Sequence, residues 1–171
     1  MPQGSHLGPI QFNIFINDIV SNCNDVKFAL FADDLKIFRV VSSIDDCNIL
    51  QRAVSDVSRW CDFNGMELNV SKCHVVSFSR SDNIISFDYN IKDEIIVHKP
   101  FIRDLGVIFD QKVSFIPHIE KIICKAMQML GFLKRITVDF KQLTPLKILY
   151  ISFVRFHLEF CSNIWSPYYI H

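Results

Sequence analysis

Phe31-Ala32-Asp33-Asp34 sets two adjacent carboxylates between two apolar, β-prone runs, Val26 to Ala32 and Leu35 to Val41. Burying such a pair without a counter-charge is costly, so these residue types predict a bound cation. A tight hairpin carrying Asp-Asp also pushes oxygen ligands out at an edge that substrate can reach. Enzymes that hold two divalent metals about 3.5 to 4 Å apart need such an edge. Neighbouring acids in turns are ordinarily just solvated. Asp45-Asp46 in this chain is such a case, explained by the first turn of a helix. The apolar flanks on both sides set Asp33-Asp34 apart.

The elements that must position this pair follow from periodicity. Pro9 is placed to start a helix, and Phe12, Phe15, Ile16, Ile19 and Val20 recur at helical spacing, which predicts an apolar stripe up to about Val20. The run from Val26 to Val41 reads as a hairpin around the Asp-Asp step. Ser43 followed by Asp46 resembles a capping box, and Leu50, Ala53, Val54, Val57, Trp60 and Cys61 predict a long amphipathic helix ending near Gly65. Short β-prone pieces come next, at Val75 to Phe78, Ile84 to Phe87, Ile95 to Val97 and Leu105 to Phe109. Ser114 and Pro117 open a second long helix with Ile119, Ile122, Ile123, Ala126, Met129 and Leu133 as its stripe. Thr144-Pro145 opens another, with Leu146, Leu149, Tyr150, Phe153, Val154 and His157 on its buried side.

A chain of 171 residues, half of them hydrophobic and sixteen of them Phe, is a folded, core-rich chain of one domain or one and a small appendage. Its formal net charge of zero counts against a free-standing electrostatic binder of nucleic acid, since such proteins carry a basic surplus. The six cysteines form no CxxC pair and have no His in zinc-finger spacing, so they read as reduced thiols. His6, His74, His98, His118, His157 and His171 have no metal-like spacing and earn no chemical role. No window approaches the ~18 unbroken apolar residues of a membrane span. The N-terminus lacks the features of a signal peptide, and an intracellular protein, nuclear or cytoplasmic, is expected.

Together, the turn Met1 to Pro9 and the Asp-Asp hairpin point to a nucleic-acid polymerase, and here a family resemblance enters. Pro2-Gln3-Gly4-Ser5 with Leu7-Gly8-Pro9, followed by Phe12-Asn13-Ile14-Phe15-Ile16-Asn17-Asp18-Ile19, resembles motif B of the reverse transcriptases of non-LTR, LINE-type retrotransposons. Phe31-Ala32-Asp33-Asp34 is similar to their catalytic motif C. Leu68-Asn69-Val70-Ser71-Lys72-Cys73 resembles motif D with its lysine, and Leu105-Gly106-Val107 plus Phe109-Asp110 resembles the motif E strand pair near the primer. The last helices, with Leu149-Tyr150, Val154-Arg155, Leu158-Glu159 and Trp165 before Pro167, look like the thumb of the same group. The likeness runs in order along essentially the whole chain. Pro-Gln-Gly-Ser-x-Leu-Gly-Pro at a fixed distance from Ala-Asp-Asp is far more specific than either part.

The resemblance implies an α+β fold. It consists of a partial palm over residues 1–110, with a small antiparallel sheet carrying the Asp-Asp hairpin and backed by two helices, then a helical thumb over 111–171. It implies RNA-directed DNA synthesis by two-metal nucleotidyl transfer, with Mg²⁺ or Mn²⁺, an RNA template, a DNA primer and a dNTP. Asp33 would be a metal ligand and Asp34 a weaker second ligand or a support for the hairpin. Lys72 would be the general acid that protonates pyrophosphate, a role that requires a lowered pKa. Gln3, Gly4 and Ser5 would line the nucleotide pocket, with Gly4 letting backbone approach closely. Phe31, Leu105, Gly106 and Val107 would lie beside the primer-template. Lys121, Lys125, Lys134 and Arg135 would contact phosphates or simply be solvated.

One departure matters. In this family the first carboxylate of the metal site lies on motif A, upstream of motif B, and the chain starts where motif B starts, so motif A and the basic fingers are expected to be missing. A two-metal site without that ligand predicts no polymerase activity for the chain alone. Loss of the fingers predicts exposed apolar surface and self-association. Two further readings stay open: a non-catalytic remnant that binds nucleic acid or protein, and a decayed open reading frame without function.

Overall fold

The computed structural model describes residues 6–20 and 25–166. They divide into two compact units, residues 1–75 with 83–98 and residues 76–82 with 99–171. In the first unit α1 (Gly8–Ile16) passes into a 3-10 turn (Asn17–Val20), followed by β1 (Lys27–Phe31), β2 (Asp34–Phe38) and α2 (Ile44–Phe63). The first helix thus tightens at Ile16 instead of running α-helical to Val20.

Strands β1 and β2 pair in antiparallel register around a two-residue loop, Ala32-Asp33. Alternation puts Phe28 opposite Ile37 and Leu30 opposite Leu35 on one face. These four pack with Ile16 and Ile19 from the first helical segment and with Val57 and Cys61 of α2. Phe15 and Trp60 add a tilted ring contact at 5.3 Å. The hairpin therefore owes its place to two helices under one face, as a lone two-stranded ribbon would be marginal in water.

Its open end is tied down by charge. Arg39 donates from Nε and Nη2 to Asp46 Oδ1 at 3.1 and 2.9 Å, and also donates to the carbonyl of Asp25. The other oxygen, Oδ2, accepts from the Ser42 and Ser43 amides at 3.0 and 3.1 Å. The Asp46 amide donates back to Ser43 Oγ at 3.3 Å, closing the capping box at the start of α2. The Ser42 amide, the Arg39 guanidinium and the Ser43 hydroxyl together hold the Asp46 carboxyl down to about 2. A carboxyl depressed in the folded state stabilises above its unfolded pKa near 3.9, and the gain is lost as pH falls through the folded value. Thermal melts are expected to show a midpoint falling between about pH 5 and pH 2, with a shallower fall for Asp46→Asn; identical slopes would exclude Asp46 as the group responsible.

The rest of the first unit is built from very short strands, β3 (His74–Val75), β4 (Asn90–Ile91), β5 (Glu94–Ile95) and β6 (Val97–His98). Among the described residues there is no single small antiparallel sheet. The strands form separate two-stranded pairs, and β3–β6 is parallel. Ile84 to Phe87, expected as a strand, joins no ladder, and Ile85 and Phe87 instead pack against Cys47, Tyr89, Ile91 and Ile96. Gln51 fastens β4 to α2, its Nε2 donating to the Asn90 carbonyl and its Oε1 accepting from the Asn90 amide, both at 2.9 Å.

In the second unit β7 (Phe101–Asp104) and β8 (Val107–Asp110) form a hairpin, followed by α3 (Ile116–Ile136), α4 (Leu143–Tyr150), a π-helical turn (Ile151–Arg155), α5 (Phe156–Glu159) and α6 (Ser162–Trp165). Leu105 and Gly106 are a turn, so the strand expected from Leu105 to Phe109 starts two residues later, and its partner at 101–104 was not anticipated. Asp110 accepts from the Ser114 and Phe115 amides at 3.1 and 2.8 Å, which guides the chain into α3. The core here is Ala126, Leu133 and Val154, with Met129, Leu130, Leu149 and Leu158 against it. Ile123, Tyr150 and Phe153, expected inward, are exposed. The π-helical turn changes the number of residues per turn between Tyr150 and Phe156, so a stripe extrapolated at 3.6 residues drifts off the buried face at Phe153; nothing in the structure explains Ile123 and Tyr150, which lie before it. No helix among the described residues is long and apolar enough to cross a membrane.

Candidate active site

The Asp33-Asp34 pair stands at the closed end of the first hairpin. Asp33 is the second loop residue, and Asp34 is the first residue of β2, in register with Phe31. Both carboxylates are exposed. The apolar flanks pack Phe28, Leu30, Leu35 and Ile37 against the helices, while the loop itself lies beyond that core. Five-residue strands separate the loop from the Arg39 anchor by roughly 16 Å, at about 3.3 Å per residue. The turn is therefore a projecting tip on a fixed base.

Its backbone is strained, with Ala32 at φ 51, a left-handed conformation that an L-residue with a Cβ adopts at a cost. Strain of this kind persists where surrounding structure enforces it, and here the enforcement is the paired, helix-backed strands on either side. The outer face of the hairpin carries Lys27, Ala29, Phe31, Asp34, Lys36 and Phe38. Phe31 is 59% exposed, so it is a surface aromatic beside the acidic tip.

Lys72 ends a 3-10 turn, Val70–Lys72, and is exposed. Gln3, Gly4 and Ser5 lie outside the described residues. Leu105, Gly106 and Val107 are in the second unit. Leu105 is half-exposed at the turn, whereas Val107 is 2% exposed, so its side chain belongs to the core of that unit. Among the described residues no cluster of three or more His, Cys, Asp or Glu is arranged to hold a metal ion. Asp33 and Asp34 are hard oxygen donors that suit Mg²⁺ or Mn²⁺, but as a pair they are an incomplete set.

The sequence reading passed over His118, which the structure makes a structural hub. It is 2% exposed, and its Nδ1 accepts the Ile108 amide at 3.3 Å. Burial, with Lys121 adding to it, pushes its pKa below the ordinary histidine value. A sequence signal did exist: His118 shares the stripe of Ile122, Ala126, Met129 and Leu133 at spacings of four, four, three and four.

Residues 1–133 match the family profile described as reverse transcriptase (RNA-dependent DNA polymerase). The chain is 27% identical over 130 residues to the RNA-directed DNA polymerase from mobile element jockey of Drosophila melanogaster, covering 71% of this chain and 14% of that protein. It is 26% identical over 127 residues to the protein of the same description from Drosophila funebris, covering 70% and 14%. The chain thus spans about 14% of the length of these curated relatives. No solved structure matches. The projecting Asp-Asp hairpin and the matched profile agree, and the chain belongs to the reverse transcriptase family, with its likeness to the polymerases of non-LTR, LINE-type mobile elements.

Proposed function

We propose that this chain is the motif B-to-thumb part of an RNA-directed DNA polymerase that copies an RNA template from a DNA primer, and that Asp33 and Asp34 are part of its two-metal centre. The observation that carries this reading is the Asp-Asp pair on an exposed, anchored turn, inside a match to the family that covers residues 1–133. When bound, divalent metal supplies a lowered pKa at the primer hydroxyl and a hold on the triphosphate. Asp33 and Asp34 would hold it, with Asp33 at the tip as the main donor. Gln3, Gly4 and Ser5 would face the nucleotide, Lys72 would give a proton to the departing pyrophosphate, and Phe31 with the Leu105-Gly106 turn would meet the primer-template. We assign residues 1–110 to a palm and 111–171 to a thumb.

The incomplete donor set makes the isolated chain inactive in this reading. Primer extension on poly(rA) with Mg²⁺ or Mn²⁺ is its test: no incorporation is expected, and incorporation that disappears in Asp33→Ala would overturn the inactivity while keeping the metal role. Exposed apolar side chains, among them Ile10 and Ile14 on α1 and Phe31 and Phe38 on the outer hairpin face, favour association with a second copy or another chain.

A second reading, non-catalytic binding of nucleic acid, is favoured by how the charge is distributed. The zero net charge hides two opposite surpluses. The first unit carries seven Lys and Arg against twelve Asp and Glu, and the second carries eleven against six. A nucleic-acid role would therefore depend on the local surplus of the second unit, because contacts are made by one local surface. Electrophoretic shifts with primer-template are expected to weaken steeply between 50 and 200 mM salt, as phosphate contacts dictate. A flat salt response would remove this reading.

A further inference from the structure

Residues 156–165 bring the chain back onto the hairpin β7–β8. After α5 the backbone reverses at Cys161, which has φ 53, and continues into α6. The Phe160 ring lies against the hairpin turn: a Cβ built on Gly106 would fall 2.9 Å from Phe160 Cε1 and 3.3 Å from Cζ. Only glycine leaves that space free. Trp165 Nε1 donates to the Phe160 carbonyl at 2.8 Å, and its indole meets the His118 ring edge-on at 5.7 Å. His118 in turn accepts the Ile108 amide, on the outer edge of β8. In a hairpin closed by two residues the pair Arg103–Ile108 exchanges no ladder bonds, so this amide points away from the partner strand and needs an outside acceptor.

The turn that these contacts enclose has positive φ at both central residues, 43 at Leu105 and 96 at Gly106. Such a turn matches the twist of its strands, but the left-handed region disfavours leucine, so Leu105 stays there only if something holds it. We propose that Phe160 and Trp165 form a clamp that positions the Leu105-Gly106 turn, with His118 fixing the strand behind it. The family match ends at residue 133, so the clamp is supplied by chain beyond it. Its consequence for primer contact rests on the functional reading of that turn given above; the clamp itself does not. Phe160 and Trp165 are positioning residues, acting on the primer side only through the turn.

Amide hydrogen exchange on the full chain tests this. Phe160→Ala is expected to speed exchange at Leu105, Gly106, Val107 and Ile108 at least tenfold, with the β1–β2 amides unchanged. Phe160→Leu, which refills most of the volume, should restore most of the protection. Trp165→Phe, which keeps a ring but loses the donor, should give a smaller increase at the same four amides. Unchanged exchange at the turn in Phe160→Ala, or an equal acceleration along α3, would overturn the clamp. Primer-template affinity of the same variants separates the two layers: faster exchange with unchanged affinity keeps the clamp and removes the primer-contact reading, whereas faster exchange with weaker binding supports both.

Discussion

Asp33→Ala, placed in a full-length polymerase that carries this sequence as its motif B-to-thumb part, is expected to lower primer extension by more than about 100-fold. Losing an outer-shell partner of a metal ligand already costs about 10- to 100-fold, and a direct ligand should cost more. Asp33 sits in the two-residue loop at the tip, while Asp34 opens β2 and shares the outer face with Phe31. Asp34→Ala should therefore cost less, about tenfold, and leave measurable synthesis. The measurement is single-turnover extension at saturating Mg²⁺, with circular dichroism to verify that the hairpin is retained. Because both carboxylates are exposed, neither alanine removes core packing, so a loss of activity is not expected to be a loss of fold.

The second large effect is on stability and is expected at Gly106. Gly106→Ala places a Cβ at φ 96 and within 2.9 Å of the Phe160 ring. The backbone contributes about 1 to 2 kcal/mol, while the Phe160 ring, 40% exposed, can swing aside at little further cost. A loss of about 1 to 2 kcal/mol by urea unfolding is expected, with the m-value unchanged. The neighbouring position should respond with the opposite sign. Leu105 holds φ 43 with a side chain ill suited to it, and Leu105→Asn should stabilise by roughly 0.5 to 1 kcal/mol, because asparagine tolerates that region. Equal and small effects at both positions would mean that the turn is not held in the conformation described.

How much was legible beforehand tracks how local each signal is. The hairpin and the capped helix after it rest on neighbours in sequence, namely alternation on either side of Ala32-Asp33 and the Ser43–Asp46 reciprocity, and both are present. The pairing of His74-Val75 with Val97-His98 joins two-residue segments more than twenty residues apart, and nothing in such short stretches encodes the partner. Ile84 to Phe87 has strand-like composition, yet Ile85 and Phe87 pack into the core while the segment joins no ladder. Phe153 leaves the extrapolated stripe where a π-helical turn changes the period locally.

The candidate site divides the same way. Motif order pointed to the family, and the matched profile over residues 1–133 agrees. The apolar flanks of Asp33-Asp34 encode one packed face of the strands and leave the two-residue loop beyond it, so both carboxylates are exposed at the tip. The zero net charge sums over two units of opposite surplus, so it describes the chain as a whole and leaves a local basic patch open. Gly106 also lies against Phe160, a contact across more than fifty residues that no motif spacing could reveal.

Asp45 provides an internal control for the central claim that Asp33 is a metal ligand, because it too belongs to an adjacent acid pair but lies in the first turn of α2. Primer extension by a full-length polymerase that carries this sequence, comparing Asp33→Ala with Asp45→Ala in the same Mg²⁺ titration, is the most direct measurement. The account predicts that Asp45→Ala extends primer at close to the parent rate and Asp33→Ala does not; full extension by Asp33→Ala would contradict it.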